Sequence, residues 1–338
     1  MSIRVGTICY AVNSGLGILA KSFFDNRIVN NVVVIEHAHH PNHLEWYPGF
    51  PAVPIREVSY SQSVKDLCDQ MDVMLFFETP FDIGLIEYCR RHNTKTVLMP
   101  MHECFREDWF DGRNVPDLYL CPSELDYEVI NKNLRGFAVV RQISVPVSVP
   151  WRQRNRAEMF VHNAGHGGLK GRNGTEELIN AMRYVKSDVK LIIRSQKELR
   201  TVTGDNRIKW EFGTRPYDQL YSEGDVFVFV EKFNGLSLPL QEAYASGMLV
   251  MGTNRFPMNE WLPKEPLIPV SYYTKDRIGP PYLSFSQANV DPNLIAKTID
   301  DWFGKDITEY SLRGKQWAEE NSWKKLGPKY REILESLL

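Results

Sequence analysis

Strand-like apolar runs alternate with helix-like segments along almost the whole of this 338-residue chain. In the first half, runs such as IRVGTIC, NVVVIE, DVMLFFE and TVLMPM are separated by segments with helical apolar spacing, such as GILAKSFFDN and SQSVKDLCDQM. After Pro150 the alternation begins again with MFVHNAG, VKLIIRSQ, DVFVFVE, MLVMGT and LIPVS. This pattern predicts α/β architecture with parallel sheets, because a helix returns the chain between parallel strands. Two such series predict two Rossmann-like domains.

The segment VPVSVPWRQRNRAE lies between the two series and contains repeated proline breaks. Because proline continues neither a ladder nor a helix, we predict a linker here, with a first domain over residues 1–150 and a second domain from residue 151. Arg152, Arg154 and Arg156 are then expected to be solvated linker residues. Open α/β sheets bind ligands outside the carboxyl ends of their strands, so the loops that follow strands are the candidate sites.

Charge and cysteine content narrow the class of protein. Residues 1–150 hold 13 Lys and Arg against 18 Asp and Glu, which leaves 27 against 24 in the remainder. The second half therefore suits an anionic ligand better than the first. The five cysteines are odd in number, confined to the first half and never spaced Cys-x-x-Cys, a pattern typical of reduced thiols in a cytosolic protein. With no signal-peptide pattern and no apolar run of about 20 residues, we expect a soluble, cytoplasmic protein.

The stretch DVFVFVEKFNGLSLPLQEAYASGMLVMGTN, residues 225–254, is the most informative about chemistry. A buried strand ends in a glycine-containing turn, which lets backbone amides approach a ligand closely. A helix begins near Leu238 and Pro239, and its N-terminus offers amides and partial positive charge to a phosphate. Glu242 lies about one turn further along, where a carboxylate can accept hydrogen bonds from vicinal ribose hydroxyls.

This stretch resembles the large family of retaining GT-B glycosyltransferases, which includes lipid mannosyltransferases and sucrose synthases. That family carries two glutamates separated by seven residues, in the form Glu-Gly-Phe-Gly-Leu-Pro-x-x-Glu-Ala, and the matching text here is NGLSLPLQEA, residues 234–243. The resemblance implies that Glu242 holds the nucleotide ribose. It also implies a donor-binding turn formed by Gly235, Leu236 and Ser237.

One position departs from the family motif. Asn234 replaces the first glutamate, which in the family contacts hydroxyl groups of the sugar. An amide can still donate to and accept from hydroxyls, so the resemblance implies a donor-binding role for Asn234. Glu231, three residues earlier, is an alternative for the same role.

A second stretch, HNAGHGGLKGRNGTEELINAM, follows a strand, is rich in glycine and opens a helix with a capping pattern. In the family a Lys-Gly pair opens this helix, and Asn173-Gly174 lies at its place. The resemblance therefore implies that Gly174 and Thr175 contact the donor. Lys170 and Arg172 precede that point, and we expect both to be catalytic by neutralising the leaving diphosphate, since such charge stabilisation is usually the largest catalytic contribution.

Weaker matches extend the resemblance over nearly the whole chain. TVLMPMHECF places His102 after a strand, where the family has a histidine that faces the donor sugar, so His102 is a catalytic candidate. Gly15 and Gly17 are implied to let the backbone approach the donor. NSWKKLGPKYREILESL resembles a C-terminal helix that crosses back to the first domain, so residues from about 316 to 338 would complete that domain and the second would end at 315.

The resemblance as a whole implies a GT-B fold, with two Rossmann-like domains whose parallel sheets face each other across a cleft. It implies a hexosyltransferase whose donor is a nucleotide diphosphate sugar of the UDP or GDP type and which needs no cofactor. Retention would let the leaving phosphate accept the proton of the acceptor. An inverting enzyme would need a general base, for which Glu78, His102 or Glu103 would be candidates.

The N-terminal glycines also support an alternative from another class. GLGILA, residues 15–20, matches Gly-x-Gly-x-x-Ala, and Glu36 follows at the end of NVVVIE, as in a dinucleotide-binding fingerprint. An NAD-dependent oxidoreductase is therefore an alternative. Against it, five residues separate the predicted strand end from Gly15, and no downstream segment indicates hydride transfer.

Four histidines cluster in EHAHHPNHLEW: His37, His39, His40 and His43. Imidazole is a common metal ligand, but this spacing matches no established motif and no Asp-x-Asp follows a strand. We therefore predict no metal site and assign the histidines to a polar loop on the acceptor side.

The acceptor stays open as a glycan, a small molecule or DNA, and so does the oligomeric state. The aromatic candidates to stack on a sugar or base are Trp46, Tyr47, Phe50, Trp109 and Phe110. A DNA-modifying glycosyltransferase acting on hydroxymethylated bases is a further alternative. It would need a basic track, which the acidic balance of the first domain disfavours.

Overall fold

The computed structural model describes residues 3–106, 114–134, 136–198, 204–276 and 285–338. Within these ranges the chain forms two compact units, one made of residues 3–145 and 323–338, the other of residues 146–276 and 285–322. Trp109 and Phe110 lie outside the described residues. Among those described, no helix is both long enough and apolar enough to cross a bilayer.

The first unit contains a parallel sheet with the order β3-β2-β1-β4-β5-β6-β7. Its strands are β1 (Val5–Tyr10), β2 (Asn31–Glu36), β3 (Ala52–Pro54), β4 (Val73–Glu78), β5 (Lys95–Pro100), β6 (Leu118–Cys121) and β7 (Val140–Gln142). Its connecting helices are α1 (Gly15–Asp25), α2 (Gln62–Gln70), α3 (Gly84–Arg91) and α4 (Glu124–Leu134). The central strands are almost wholly buried, as continuous apolar runs require when helices cover both faces of a sheet.

The second unit repeats this plan with a parallel sheet in the order β10-β9-β8-β11-β12. Its strands are β8 (Met159–Gly165), β9 (Lys190–Ser195), β10 (Ile208–Phe212), β11 (Val226–Phe229) and β12 (Leu249–Gly252). β13 (Tyr272–Asp276) and β14 (Phe285–Asn289) form a separate antiparallel pair. The helices are α5 (Thr175–Met182), α6 (Leu238–Ala245), α7 (Pro292–Trp302) and α8 (Thr308–Glu320). Both sheets are therefore doubly wound, which confirms the predicted α/β class with two Rossmann-like domains.

A few strand predictions were wrong. LIPVS forms no strand, because Ile268 makes only an isolated bridge with Thr253. The prediction also missed β3 and the β13–β14 pair. β3 is a three-residue edge strand bounded by proline, and β13 is rich in exposed polar residues, so neither shows the apolar run on which the prediction relied.

Residues 146–158 are packed against the second unit, so the prediction of a solvated linker was wrong for Arg154. The indole N–H of Trp151 donates to Ser311 O at 3.1 Å, and the amide of Ala157 donates to Lys305 O at 3.0 Å. Arg154 is only 2% exposed, whereas Arg152 and Arg156 are exposed as expected. The proline and arginine content correctly predicted the lack of regular secondary structure here, but it did not predict that Arg154 is buried.

The C-terminal helix α9 (Trp323–Glu335) packs on the first unit. The rings of Trp323 and Tyr330 each lie 4.9 Å from that of Phe23, and the Tyr330 hydroxyl donates to Ser144 O at 3.0 Å. The returning segment begins at residue 323 rather than about 316. The reason is that α8 is held in the second unit, where a Cβ on Gly314 would lie 2.3 Å from Tyr244 O.

Candidate functional site

The two motif segments singled out from the sequence meet at the carboxyl edge of the second sheet. Residues 166–174 follow β8 and residues 230–237 follow β11, and these strands are neighbours in the sheet. The amide of Lys232 donates to Arg172 O at 2.8 Å, which joins the two loops directly. The order of the strands reverses between β8 and β11, and this is the position where doubly wound sheets bind ligands.

Gly174 fixes the path of the first loop into α5. Its φ is +75°, and a Cβ there would lie 2.2 Å from Val230 O, so only glycine fits. The Asn173 amide donates to the carbonyls of Asn163 and Ala164, both at 3.1 Å, which ties the loop to the end of β8. The start of α5 is thus pressed against the loop that follows β11.

Thr175 turns its hydroxyl into the core, where its Oγ1 lies 2.8 Å from His162 Nε2. His162 Nδ1 lies 2.8 Å from Val228 O and donates to it. Burial lowers the pKa of His162 to about 4, so the ring is neutral and Nε2 accepts from Thr175. The predicted donor-binding residue Thr175 therefore uses its side chain to hold β8, β11 and α5 together.

Lys170 and Arg172, the predicted diphosphate ligands, are both exposed on the loop. The Arg172 guanidinium lies 5.5 Å from the centroid of the Phe233 ring. Two further basic groups lie at this edge: Lys232 Nζ lies 2.8 Å from Glu177 Oε1, and the buried Arg255 donates to Ser286 O at 2.9 Å. Lys170 and Arg172 are exposed, and Lys232 and Arg255 stabilise the surrounding loops.

Asn234 closes the turn that precedes α6. Its Oδ1 accepts from the amides of Leu236 at 3.1 Å and Ser237 at 2.9 Å, and its Nδ2 donates to Glu231 Oε1. The Ser237 hydroxyl donates to Glu231 Oε2 at 2.6 Å, and Glu231 is fully buried. Buried Gly235 lies within the same turn. The amides of Leu236 and Ser237 are therefore already hydrogen-bonded to Asn234, and the buried carboxyl group of Glu231 lies at this end of the helix.

Glu242 lies in the second turn of α6 and is 5% exposed. The hydroxyls of Tyr217 and Tyr221 donate to its Oε1 and Oε2, each at 2.6 Å. Burial raises the pKa of Glu242, and the two phenol hydrogen bonds oppose that rise. Glu242 was predicted from the sequence, but both tyrosines were missed, although they lie only four residues apart.

Ion pairs made by Arg194 and Arg215 stabilise the segment that carries Tyr217 and Tyr221. Arg194, 5% exposed, lies 3.1 Å from a carboxylate oxygen of Glu211 and 3.1 Å from one of Glu223, and it donates to Leu220 O. Arg215 completes the network at 2.6 Å from Glu211.

Arg154 ties the same segment to α6. Its guanidinium donates to Tyr221 O at 2.6 Å, to Gly224 O at 3.0 Å and to Ser246 O just after α6. Burial lowers its pKa to about 10, which leaves it charged at neutral pH. The sequence missed this role because the carbonyls come from distant parts of the chain.

In the first unit, His102 lies in a short helical turn after β5 and is 9% exposed. Its Nδ1 lies 3.8 Å from Glu103 Oε2 and 3.9 Å from Asp126 Oδ1. Glu78, at the end of β4, accepts from the Cys104 thiol at 3.0 Å and has a left-handed φ of 62°. The three alternative general bases thus lie at the carboxyl edge of this sheet.

Gly15 and Gly17 open α1. Ser14 caps this helix by accepting from the amide of Gly17, and a Cβ on Gly17 would lie 2.1 Å from Val12 O. Gly17 is therefore required for the helix to approach the end of β1. Gly15 is exposed at the helix start, and Glu36 is exposed at the end of β2.

The clustered histidines engage one another and their neighbours. His37 packs 4.5 Å from His40 between ring centroids, and His43 stacks on Trp46. Over the described residues, no group of three His, Cys, Asp or Glu side chains has the geometry of a metal site. Tyr47 was predicted to line the acceptor site, but it is 1% exposed and packs on Phe24, so that prediction was wrong.

A cavity of about 230 Å³ opens in the first unit beside the carboxyl end of β4. Thr79, Phe81 and Asp82 line it from the loop after β4, Ile55 lines it from the segment after β3, and Arg106 lines it from beyond β5. It has room for a small polar molecule.

No protein-family model matches the sequence, and no curated protein matches it either. Solved structures do match. Alr3699/HepE from Anabaena, crystallised with UDP and glucose, has a TM-score of 0.71 at 11% identity, over 99% of this chain and 100% of its own. Sucrose-phosphate synthase from Thermosynechococcus elongatus has a TM-score of 0.66 at 13% identity, over 99% and 100% of the two chains.

The pneumococcal O-GlcNAc transferase GtfA, crystallised with UDP and GlcNAc, has a TM-score of 0.56 at 13% identity over 81% of this chain. This chain spans about three fifths of the length of that structure and of the GtfA/B complex. These likenesses establish the GT-B fold for this chain.

Proposed function

We propose that this protein is a glycosyltransferase that moves a sugar from a UDP- or GDP-type nucleotide diphosphate sugar to a hydroxyl acceptor, with retention at the anomeric carbon. One observation carries the proposal: exposed Lys170 and Arg172 lie on a loop that contacts the turn before α6, and Glu242 lies in the second turn of that helix. Cationic side chains for a diphosphate and a carboxylate for a ribose thus share one edge of one sheet. The bound UDP in HepE and GtfA supports this class of donor.

In this proposal Lys170 and Arg172 bind the diphosphate, with Gly174 and the start of α5 beside it. The helix end of α6 is a poorer candidate, because Asn234 accepts from its preceding amides and the buried carboxyl group of Glu231 accepts from Asn234 and from the Ser237 hydroxyl. Asn234 is therefore assigned to shaping the turn from which the sugar is contacted. Charge neutralisation by the loop cations accelerates departure of the diphosphate.

The proposed step breaks the bond between the anomeric carbon and the diphosphate oxygen and forms a bond to the acceptor oxygen on the same face. The acceptor proton passes to the leaving phosphate oxygen, so the protein needs positioning and charge neutralisation more than a general base. We keep the first unit as the candidate acceptor-binding unit and His102 as the candidate contact of the sugar.

A thermal-shift series tests the donor site. UDP, GDP and their sugars are added to the wild type, and the correct nucleotide should stabilise it by about 2.7 kcal/mol at 100 times its Kd. Lys170→Ala and Arg172→Ala should lose most of this shift. Lys190→Ala should keep it, because Lys190 is exposed at the amino end of β9, away from the loops that follow the strands. An absence of any shift, or equal shifts in all variants, contradicts the proposed site.

The stereochemical part is tested separately, by NMR of the product formed from an α-configured donor. An α-linked product supports retention. A β-linked product contradicts it and directs attention to Glu78, His102 and Glu103 as bases.

A further inference from the structure

Both carboxylate oxygens of Glu242 are engaged from the same neighbouring segment. Tyr217 donates to Oε1 and Tyr221 to Oε2, each at 2.6 Å. Two donors on opposite oxygens fix the rotation of the carboxylate about its own axis. A carboxylate that accepted a hydrogen bond on one oxygen only could still rotate.

The occupied oxygens still have acceptor capacity. An ionised carboxylate offers about four lone-pair sites, and the two phenols take one on each oxygen. One site remains on each oxygen, and the two point in directions set by the phenols. A vicinal diol, with two hydroxyls on adjacent carbons, matches such a pair of acceptors.

The tyrosines themselves are held in place. Arg194 contacts Glu211 and Glu223 at the two ends of their segment, and Arg154 joins Tyr221 O to Ser246 O after α6. Tyr221 is buried and Tyr217 half-buried, so their hydroxyls have little freedom to leave the carboxylate. The segment and the helix therefore behave as one assembly around Glu242.

We infer that Tyr217 and Tyr221 are positioning residues for ribose recognition, because they orient the Glu242 carboxylate toward a vicinal diol. This inference rests on the proposed function, in which Glu242 binds the ribose of the donor. The tyrosines also favour the ionised form of Glu242 against the effect of burial, and an ionised carboxylate is the better acceptor.

The test compares binding of ribonucleotides and 2′-deoxyribonucleotides by calorimetry. UDP and 2′-deoxy-UDP are titrated into the wild type, with GDP and 2′-deoxy-GDP in parallel. One hydrogen bond to a charged group predicts that the wild type prefers the ribonucleotide by about 10-fold or more. Tyr217→Phe and Tyr221→Phe should each lower that preference by about threefold or more, while affinity for the deoxy form changes by less than about twofold.

Controls separate positioning from stability. Glu242→Gln should abolish the preference for the ribonucleotide, and the variant with both tyrosines replaced by phenylalanine should lose most of that preference. Tyr184→Phe, an exposed tyrosine after α5, should leave the preference unchanged. Since Tyr221 is buried, the melting temperature of Tyr221→Phe is also measured without ligand. If this variant is unfolded, the test rests on Tyr217→Phe, because Tyr217 is only half-buried.

The outcomes separate the inference from the proposed function. An unchanged preference in Tyr217→Phe, or an equal loss of affinity for the ribose and deoxyribose forms, overturns the inference while the donor site stands. A wild type that binds UDP or GDP without preference overturns the role of Glu242 and the inference together. Binding of no nucleotide refutes the proposed function itself.

Discussion

Replacing Arg154 by methionine would remove a buried guanidinium while nearly preserving its volume. In the structure this group donates to Arg152 O at 2.8 Å, to Tyr221 O at 2.6 Å, to Gly224 O at 3.0 Å and to Ser246 O. Three of these carbonyls keep another donor: Ser246 O accepts from the Arg152 amide at 3.0 Å, Gly224 O from Arg152 Nη2 at 3.2 Å and Arg152 O from the Ser311 hydroxyl at 3.4 Å. The substitution therefore leaves Tyr221 O, in a buried residue, without the donor that it has in the structure.

The magnitude follows mainly from Tyr221 O. An unsatisfied buried polar group costs about 1–3 kcal/mol, and part of this cost is offset because the charge no longer has to be desolvated. We therefore expect Arg154→Met to lower the free energy of unfolding by about 1–3 kcal/mol, a sizeable part of the roughly 5–15 kcal/mol that stabilises a typical domain. Arg154→Lys keeps the charge but loses the planar fork of donors, so we expect an intermediate loss.

Urea unfolding followed by fluorescence and circular dichroism measures the effect. Arg156→Met is the matched control, because its side chain is exposed and its Nε donates to Gly304 O and lies 3.5 Å from the exposed Glu158 carboxylate, so its change should stay within about 0.5 kcal/mol. If Arg154→Met costs less than about 1 kcal/mol, or no more than the control, the guanidinium does not hold the segment of Tyr221 to α6. The reasoning would then be refuted.

Three further predictions follow from the same unit. His162→Gln should remove a pH dependence of stability. The pKa of His162 is about 4 in the folded protein against an ordinary 6.5, so the unfolded state binds more protons between these two pH values. In urea titrations, the unfolding free energy of the wild type should therefore fall by about 3 kcal/mol more than that of the variant between pH 6.5 and pH 4. Parallel curves would contradict the buried neutral ring. Gly174→Ala should lower the melting temperature far more than Gly213→Ala, since both have positive φ but only the first meets a carbonyl, and equal shifts would disprove that contact. Lys170→Ala with Arg172→Ala should reduce turnover of the donor sugar by about 100-fold or more, as for other losses of charge stabilisation, and near-normal steady-state rates would exclude them from diphosphate binding.

Much of the fold could be predicted because its signal is local. Strands β1, β2, β4 and β5 in the first sheet are continuous apolar runs, and so are β8, β9, β11 and β12 in the second. Residues within a few positions of one another decide such periodicity, and no long-range information is needed. The glycine-rich loop before α5 and the turn before α6 were also visible, because positive φ and helix starts restrict residue types directly.

The candidate site could be predicted only in part. Glu242, Lys170 and Arg172 were expected in segments that follow strands, and the structure shows that these strands, β11 and β8, are neighbours in the sheet. The sequence did not show that Asn234 folds inward onto Glu231, nor that Thr175 bonds to His162. These partners depend on which rotamer the packing allows, and residue type alone does not fix that choice.

The sequence alone therefore determined the two doubly wound domains, and it indicated the segments that are proposed to bind a ligand. The tertiary structure decided which groups act on one another. Arg154 reaches a carbonyl 92 residues away, and Tyr217 reaches a carboxylate 25 residues away. Hydrogen-bond partners are selected by distance in space, because the bond requires contact at about 3 Å, and folding brings together groups that no local pattern connects.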